Sequence, residues 1–235
     1  IYIDPSRRSD SQIKVFLLED SLPNIPKNLE LLFDHSDNIL IKTSPLLDIS
    51  SGINAMKHVR SINIISVSNE VKELLWILKK DFKGEISICA ININSTRKET
   101  FHFQYGELED IVSEYSLPLE YLYEPNAAIM KSGAFDLIPN RYTVKKLHKH
   151  SHLYTNSLPI EFPGRVFIIR QSLNYNRQQM QALSIKKANI TTRNFPETVA
   201  QIRKKYTIKD GGENYLFFTT DKNNNKIVLI CSKLN

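Results

Sequence analysis

The chain is short of the residues that make the simplest functional signatures. It has two cysteines, Cys89 and Cys231, and seven glycines, none of them in a G-x-G arrangement. Two cysteines exclude a four-cysteine zinc site. Both fall in strand-like apolar runs, so they read as buried thiols in a reducing compartment rather than a disulfide framework. The missing G-x-G leaves no glycine-rich turn of the kind that seats nucleotide cofactors. No apolar run approaches the roughly 18–20 residues of a membrane span, and no basic-then-apolar leader opens the sequence. These absences predict a soluble, cytoplasmic chain without a membrane partner.

What is present is a core-forming composition with an uneven charge. At 41% hydrophobic residues, 235 positions suffice for about two domains. The net charge of +6 conceals a division: residues 1–130 carry 13 Lys+Arg against 19 Asp+Glu, and residues 131–235 carry 18 against 6. The basic excess therefore lies wholly in the C-terminal part, as expected where one end meets a polyanion, although a solvated basic surface gives the same count. His148, His150 and His152 alternate, and on a strand they would share one face. No Cys, Asp or Glu stands beside them, and Lys146 and Lys149 oppose a cation, so no metal is expected.

Residues 1–94 alternate short β-like runs with helical stretches. Strands are expected at Ile1–Ile3, Ile13–Leu18, Asn38–Thr43, Ile62–Val67 and Glu85–Ile93, with helices after Pro26, over Gly52–Val59 and over Glu70–Lys80. The last carries acids in its first turn and lysines in its last, which suits a helix dipole. This rhythm predicts an α/β domain with a doubly wound sheet, whose ligands sit at the carboxyl ends of the strands. The polar residues emerging there are Asp4-Pro5-Ser6-Arg7-Arg8, Lys42-Thr43-Ser44-Pro45 and Ser68-Asn69-Glu70. A strand at the very start of a chain also suggests that the domain's first half is missing.

Beyond residue 94 the pattern becomes α+β. Thr100–Tyr105 reads as a strand, Glu107–Tyr115 as a helix and Pro118–Pro125 as extended chain. A helix capped by Asn126 and closed near Gly133 follows. From Gly164 the order is strand, helix (Arg177–Leu183), strand, helix (Glu197–Tyr206). A Gly211-Gly212 turn then leads to a hairpin, Tyr215–Thr220 with Ile227–Ser232, around the turn-forming Asp221–Asn225. The expected organisation is an α/β domain over 1–94, a connecting α+β region over 95–160 and a basic domain over 161–235.

Two sets of residues carry a family resemblance. Asp4-Pro5-Ser6-Arg7-Arg8, Lys42-Thr43-Ser44-Pro45 and Asn69-Glu70-Val71-Lys72-Glu73-Leu74-Leu75 resemble the second half of a class I S-adenosylmethionine-dependent methyltransferase, a Rossmann-like fold. Tyr123-Glu124-Pro125-Asn126-Ala127-Ala128-Ile129, Ser151-His152-Leu153-Tyr154-Thr155, Phe162-Pro163-Gly164-Arg165 and Lys186-Lys187-Ala188-Asn189 resemble the C-terminal region of bacterial methyltransferase-like proteins with a THUMP-like domain. The resemblance implies a fragment of an RNA methyltransferase, with a smaller ferredoxin-like and THUMP-like region following the partial methyltransferase sheet. It places the cofactor signature upstream of Asp4, so S-adenosylmethionine is expected to bind the full-length protein and not this fragment.

In that reading Asp4 and Pro5 are the candidate catalytic pair: the Asp4 carboxylate takes a hydrogen bond or proton from the acceptor, and the backbone beside Pro5 orients it. Arg7, Arg8, Lys42 and Ser44 are candidate RNA contacts on this side, the arginines offering bidentate forks for phosphate. The plainer alternative has Asp4 capping a turn and the arginines paired with Asp10 or Glu19. Asp-Pro followed by arginine also resembles the loop of 5-methyluridine enzymes, but their cysteine nucleophile has no counterpart at Thr43-Ser44-Pro45-Leu46, so direct transfer to nitrogen or oxygen of tRNA or rRNA is expected. In the basic part Lys186, Lys187, Arg193, Arg203 and Lys204 are candidate RNA contacts, mostly to phosphate. Two competing readings are a non-catalytic RNA-binding module on a methyltransferase-derived scaffold, and a small-molecule α/β enzyme whose basic end serves oligomerisation.

Overall fold

The computed structural model describes residues 1–6, 18–109 and 111–234, and it separates into two compact units. The first comprises Ile1–Asp110 with Asn126–Ala134, the second Ile111–Pro125 with Phe135–Asn235. Arg7, Arg8 and most of the expected Ile13–Leu18 strand lie outside the described residues.

The first unit is a six-stranded mixed sheet with helices. Its elements are β1 (Tyr2–Ile3), α1 (Ile25–His35), β2 (Asn38–Thr43), α2 (Ile49–Ala55), β3 (Val59–Val67), β4 (Glu70–Lys79), β5 (Ser87–Ile93), β6 (Lys98–Gln104) and α3 (Ala127–Ser132), in sheet order β1-β2-β4-β3-β5-β6. Among the described strands of this sheet only β1–β2 and β3–β5 are parallel; β4 runs antiparallel to both of its neighbours. The α/β class expected from the sequence is present.

The expected Glu70–Lys80 helix is β4 instead. Ser68 and Asn69, both at positive φ (50° and 63°), make the two-residue turn that folds it back on β3. Leu74, Trp76 and Leu78 are fully buried and Leu75 and Ile77 half-buried, so both faces are covered and the apolar run shows no period 2 to read. Its Glu, Lys and Leu residues favour a helix locally, and pairing on both edges overrides that preference. Opposite, α2 occupies Ile49–Ala55 rather than 52–59, capped by the Asp48 side chain. Gly52 of α2 is where the helix meets the indole of Trp76, whose Nε1 donates to Thr43 Oγ1 at 2.8 Å.

The second unit is built on a seven-stranded sheet. Its elements are β7 (Tyr121–Pro125), α4 (Leu137–Tyr142), β8 (Lys145–Lys146), β9 (Tyr154–Asn156), β10 (Gly164–Asn174), α5 (Arg177–Ala182), β11 (Lys187–Thr192), α6 (Val199–Tyr206), β12 (Lys209–Thr220) and β13 (Lys226–Lys233). The strand order is β11-β12-β13-β10-β7-β9-β8. One apolar cluster, with Leu122, Phe167, Phe217 and Leu229, fills one part of this unit; another, with Met180, Ile202, Leu216 and Val228, lies beneath α5 and α6.

Three further expectations are corrected here. Gly211 and Gly212 lie inside β12 at positive φ (90° and 86°), where the pairing with β11 shifts register, and do not form a turn before it. The Glu107–Tyr115 helix is limited to a short 3-10 turn at Tyr105–Leu108; Glu114 and Ser116 instead bond the backbone of Lys146, alongside the Tyr115–Lys146 bridge. His148, His150 and His152 lie on a turn between β8 and β9, not a strand, and His152 itself takes φ 52°.

Candidate functional site

β1 and β2 are parallel with Ile3 opposite Ile41, which brings their carboxyl ends together. The next residues along are Asp4 and Lys42, and they close an ion pair, Lys42 Nζ to Asp4 Oδ2, at 2.5 Å. The hydrogen bond to Asp4 holds the Lys42 amine above its usual pKa. The Asp4 side chain stays 48% exposed, and among the described residues its Oδ1 has no partner. Pro5 is buried behind it, and Ser44 stands just past β2, where its Oγ accepts from Leu46 N at 3.2 Å. Among the described residues the strand ends thus present a carboxylate anchored on one oxygen and open on the other, able to accept a hydrogen bond from an amine or hydroxyl.

A second polar group of the same unit is internal. Glu99, 8% exposed, accepts from Asn92 Nδ2 at 3.0 Å and Asn126 Nδ2 at 2.9 Å and pairs with Arg97. Asn126 also caps α3 as expected, while Asn69 Oδ1 accepts from Ala127 N at 2.8 Å and Gly133 closes the helix at φ 76°. Every member has a partner, and the arrangement fixes α3 onto β3, β4 and β5.

Several predicted RNA contacts in the basic part are committed within the fold. Arg193 and Arg165 converge on Glu124, which is almost fully buried: Arg193 Nη2 lies 2.9 Å from Oε1 and Arg165 Nε 2.8 Å from Oε2. Arg203 binds Asp210 at 2.5 Å and the carbonyls of Ala188 and Ile208. Lys187 lies over Gly211 and Gly212. Lys186 and Lys204 are exposed and, among the described residues, their side chains have no partner. The sequence does not reveal that Lys146 is also structural: it is 1% exposed and donates to Asp136 Oδ1 at 2.7 Å. An acid at 136 is an ordinary surface-type residue until the fold brings Lys146 to it.

Among the described residues no group of three or more His, Cys, Asp or Glu side chains is placed to hold a metal ion, and no helix is long and apolar enough to cross a membrane. His148 is tied to Asn224 and Asn194, and His152 stacks on Phe135 at 3.6 Å between ring centroids. Burial, with Lys146 and Arg193 nearby, drives the His152 pKa down to about 4. Nor do the glycines fit a nucleotide cofactor. Within the first unit Gly52 packs on Trp76, Gly84 on Phe82, Gly106 lies in the short 3-10 turn and Gly133 caps α3, so none of these forms a strand-to-helix cradle.

Comparison with known proteins agrees with this architecture. Residues 121–163 match a ferredoxin-like domain family and residues 164–233 a THUMP domain-like family. The whole chain superposes on the crystal structure of a candidate methyltransferase from Porphyromonas gingivalis W83, with a TM-score of 0.90 and 31% sequence identity. The chain covers 59% of that protein's length. No curated protein matches it. The chain is thus similar to a methyltransferase-like protein, with ferredoxin-like and THUMP-like regions in its C-terminal part.

Proposed function

We propose that this chain is the acceptor-side part of an S-adenosylmethionine-dependent RNA methyltransferase that modifies a nitrogen or oxygen of tRNA or rRNA. The observation that carries the proposal is the carboxylate of Asp4, anchored by Lys42 at the ends of two parallel strands with its second oxygen open among the described residues. That is where open α/β sheets bind their ligands. The likeness to a candidate methyltransferase over the full chain supports the reaction class, and the THUMP-like region supports RNA as substrate.

Asp4 Oδ1 accepts the hydrogen bond of the acceptor amine or hydroxyl and keeps the attacking lone pair directed at the donor. No thiol shares this end of the sheet: Thr43-Ser44-Pro45 closes β2, and Cys89 is buried in β5, with burial raising its pKa. A covalent enzyme–base adduct through cysteine is therefore disfavoured. In this reading the methyl donor is held by residues outside this chain, which spans 59% of the length of the methyltransferase-like protein it resembles.

The test is transfer of labelled methyl from S-adenosylmethionine to RNA purified from cells lacking the gene, catalysed by the protein that the gene encodes. Incorporation into a discrete tRNA or rRNA species supports the proposal. RNA binding without incorporation favours the scaffold reading, and neither activity refutes both.

A further inference from the structure

Within the second unit, a cavity of about 440 Å³ opens between the carboxyl ends of α5 and α6. Its floor belongs to the apolar cluster under these helices: Met180 and Ile208 are each 5% exposed and Leu216 is fully buried. Leu183, Ile185 and the ring of Tyr206 add half-buried apolar walls. The rim is cationic, with Arg177, Lys186 and Lys205, and among the described residues no aspartate or glutamate lines it.

These cations differ in how far they are already used. Lys205 donates to Glu197 and to the Tyr175 hydroxyl and lies 5.4 Å from the centre of the Tyr206 ring, so its charge is largely satisfied. Among the described residues, the side chains of Arg177 and Lys186 have no hydrogen-bond or ion-pair partner. This sets them apart from Arg165, Arg193 and Arg203, which are paired with acids. An apolar recess beside two uncommitted cations suits a flat, weakly polar group that carries a nearby negative charge. In a polynucleotide, that description fits a base unstacked from its neighbours together with its own phosphate.

We propose that this cavity binds one unpaired nucleotide of the RNA, the base entering against Leu183, Ile185 and Tyr206 and the phosphate resting on Arg177 and Lys186. The inference rests on the RNA reading of the THUMP-like region and adds to it a defined site and a preference for single-stranded over duplex RNA. Duplex RNA keeps its bases stacked and paired, and only its phosphates can reach the rim. Lys204, exposed on α6 and not part of the cavity lining, is a comparison for general electrostatic attraction.

The experiment measures binding of a fluorescent single-stranded hexaribonucleotide and of a blunt RNA duplex to the 235-residue chain, as wild type and as Arg177→Glu, Lys186→Glu and Lys204→Glu. All three positions are exposed, so folding is expected to survive and is checked by circular dichroism. The proposal expects single strands to bind more tightly than duplex, with Arg177→Glu and Lys186→Glu each lowering single-strand affinity roughly tenfold. Lys204→Glu should lower affinity for both RNAs only slightly and equally. Equal effects of all three variants, or a preference for duplex, overturn the cavity assignment while leaving RNA binding intact. Absence of binding to either RNA overturns the RNA reading as well.

Discussion

Asp4 and Lys42 meet at 2.5 Å one position beyond the paired ends of β1 and β2, with Asp4 Oδ1 left open among the described residues. A half-exposed ion pair of this kind adds little to stability, because water screens it and two side chains must be held in place. Asp4→Asn is therefore expected to leave the melting temperature nearly unchanged. A marked drop in melting temperature would assign the carboxylate to the fold rather than to an acceptor.

Gly52 is required by contact rather than by backbone conformation. A Cβ at this position would lie 2.3 Å from Cη2 and 2.7 Å from Cζ2 of Trp76. The indole cannot easily yield, being fully buried and bonded to Thr43. Gly52→Ala should thus destabilise by about 1–3 kcal/mol through overpacking, reversing the gain of up to ~1 kcal/mol that alanine gives in an open helix. Thermal melting of the variant reads the sign directly.

Glu124 is the shared acceptor of Arg165 and Arg193 in the second unit. Glu124→Leu removes the acceptor and leaves two arginines that are 39% and 35% exposed, so each retains access to water. The expected loss is on the order of 2 kcal/mol, less than for a fully buried pair. Chemical denaturation that shows no loss would mean the arginines find equivalent partners.

His152 makes stability depend on mildly acidic pH. Burial, with Lys146 and then Arg193, depresses its pKa from 6.5 to about 4 in the fold. Between those values the unfolded chain binds the proton that the folded chain refuses, so this contribution is full above pH 6.5 and is lost as pH falls toward 4. His152→Asn suits the left-handed backbone at φ 52° and removes the titration. Its denaturation midpoint should vary less than wild type across pH 6.5 to 4; parallel curves would assign the pH dependence to other groups.

Local signals were strong enough to be read directly in some parts of the chain. β2 occupies Asn38–Thr43 as expected from its apolar run closed by Ser44-Pro45, Asn126 caps α3, Gly133 ends it, and Asp221–Asn225 turns the β12–β13 hairpin. β4 was illegible because the unbroken apolar run Leu74–Leu78 puts apolar side chains on both faces and hides the strand period, and its charges imitate helix ends. Within the candidate site, Asp4 and Lys42 were singled out separately, from their places after two strands. Their pairing depends on the parallel register of β1 and β2 and is not written in either segment. Likewise a count of basic residues cannot separate Arg193 and Arg203, tied to Glu124 and Asp210, from Arg177 and Lys186, which face a cavity uncommitted.

The most direct test of the methyltransferase reading is mass spectrometry of nucleosides from the tRNA and rRNA of cells lacking the gene, complemented with the wild-type gene or with one encoding Asp4→Asn. The account predicts that one N- or O-methylated nucleoside disappears in the deletion, returns with the wild-type gene and stays absent with Asp4→Asn. Identical nucleoside profiles in all three strains would contradict it.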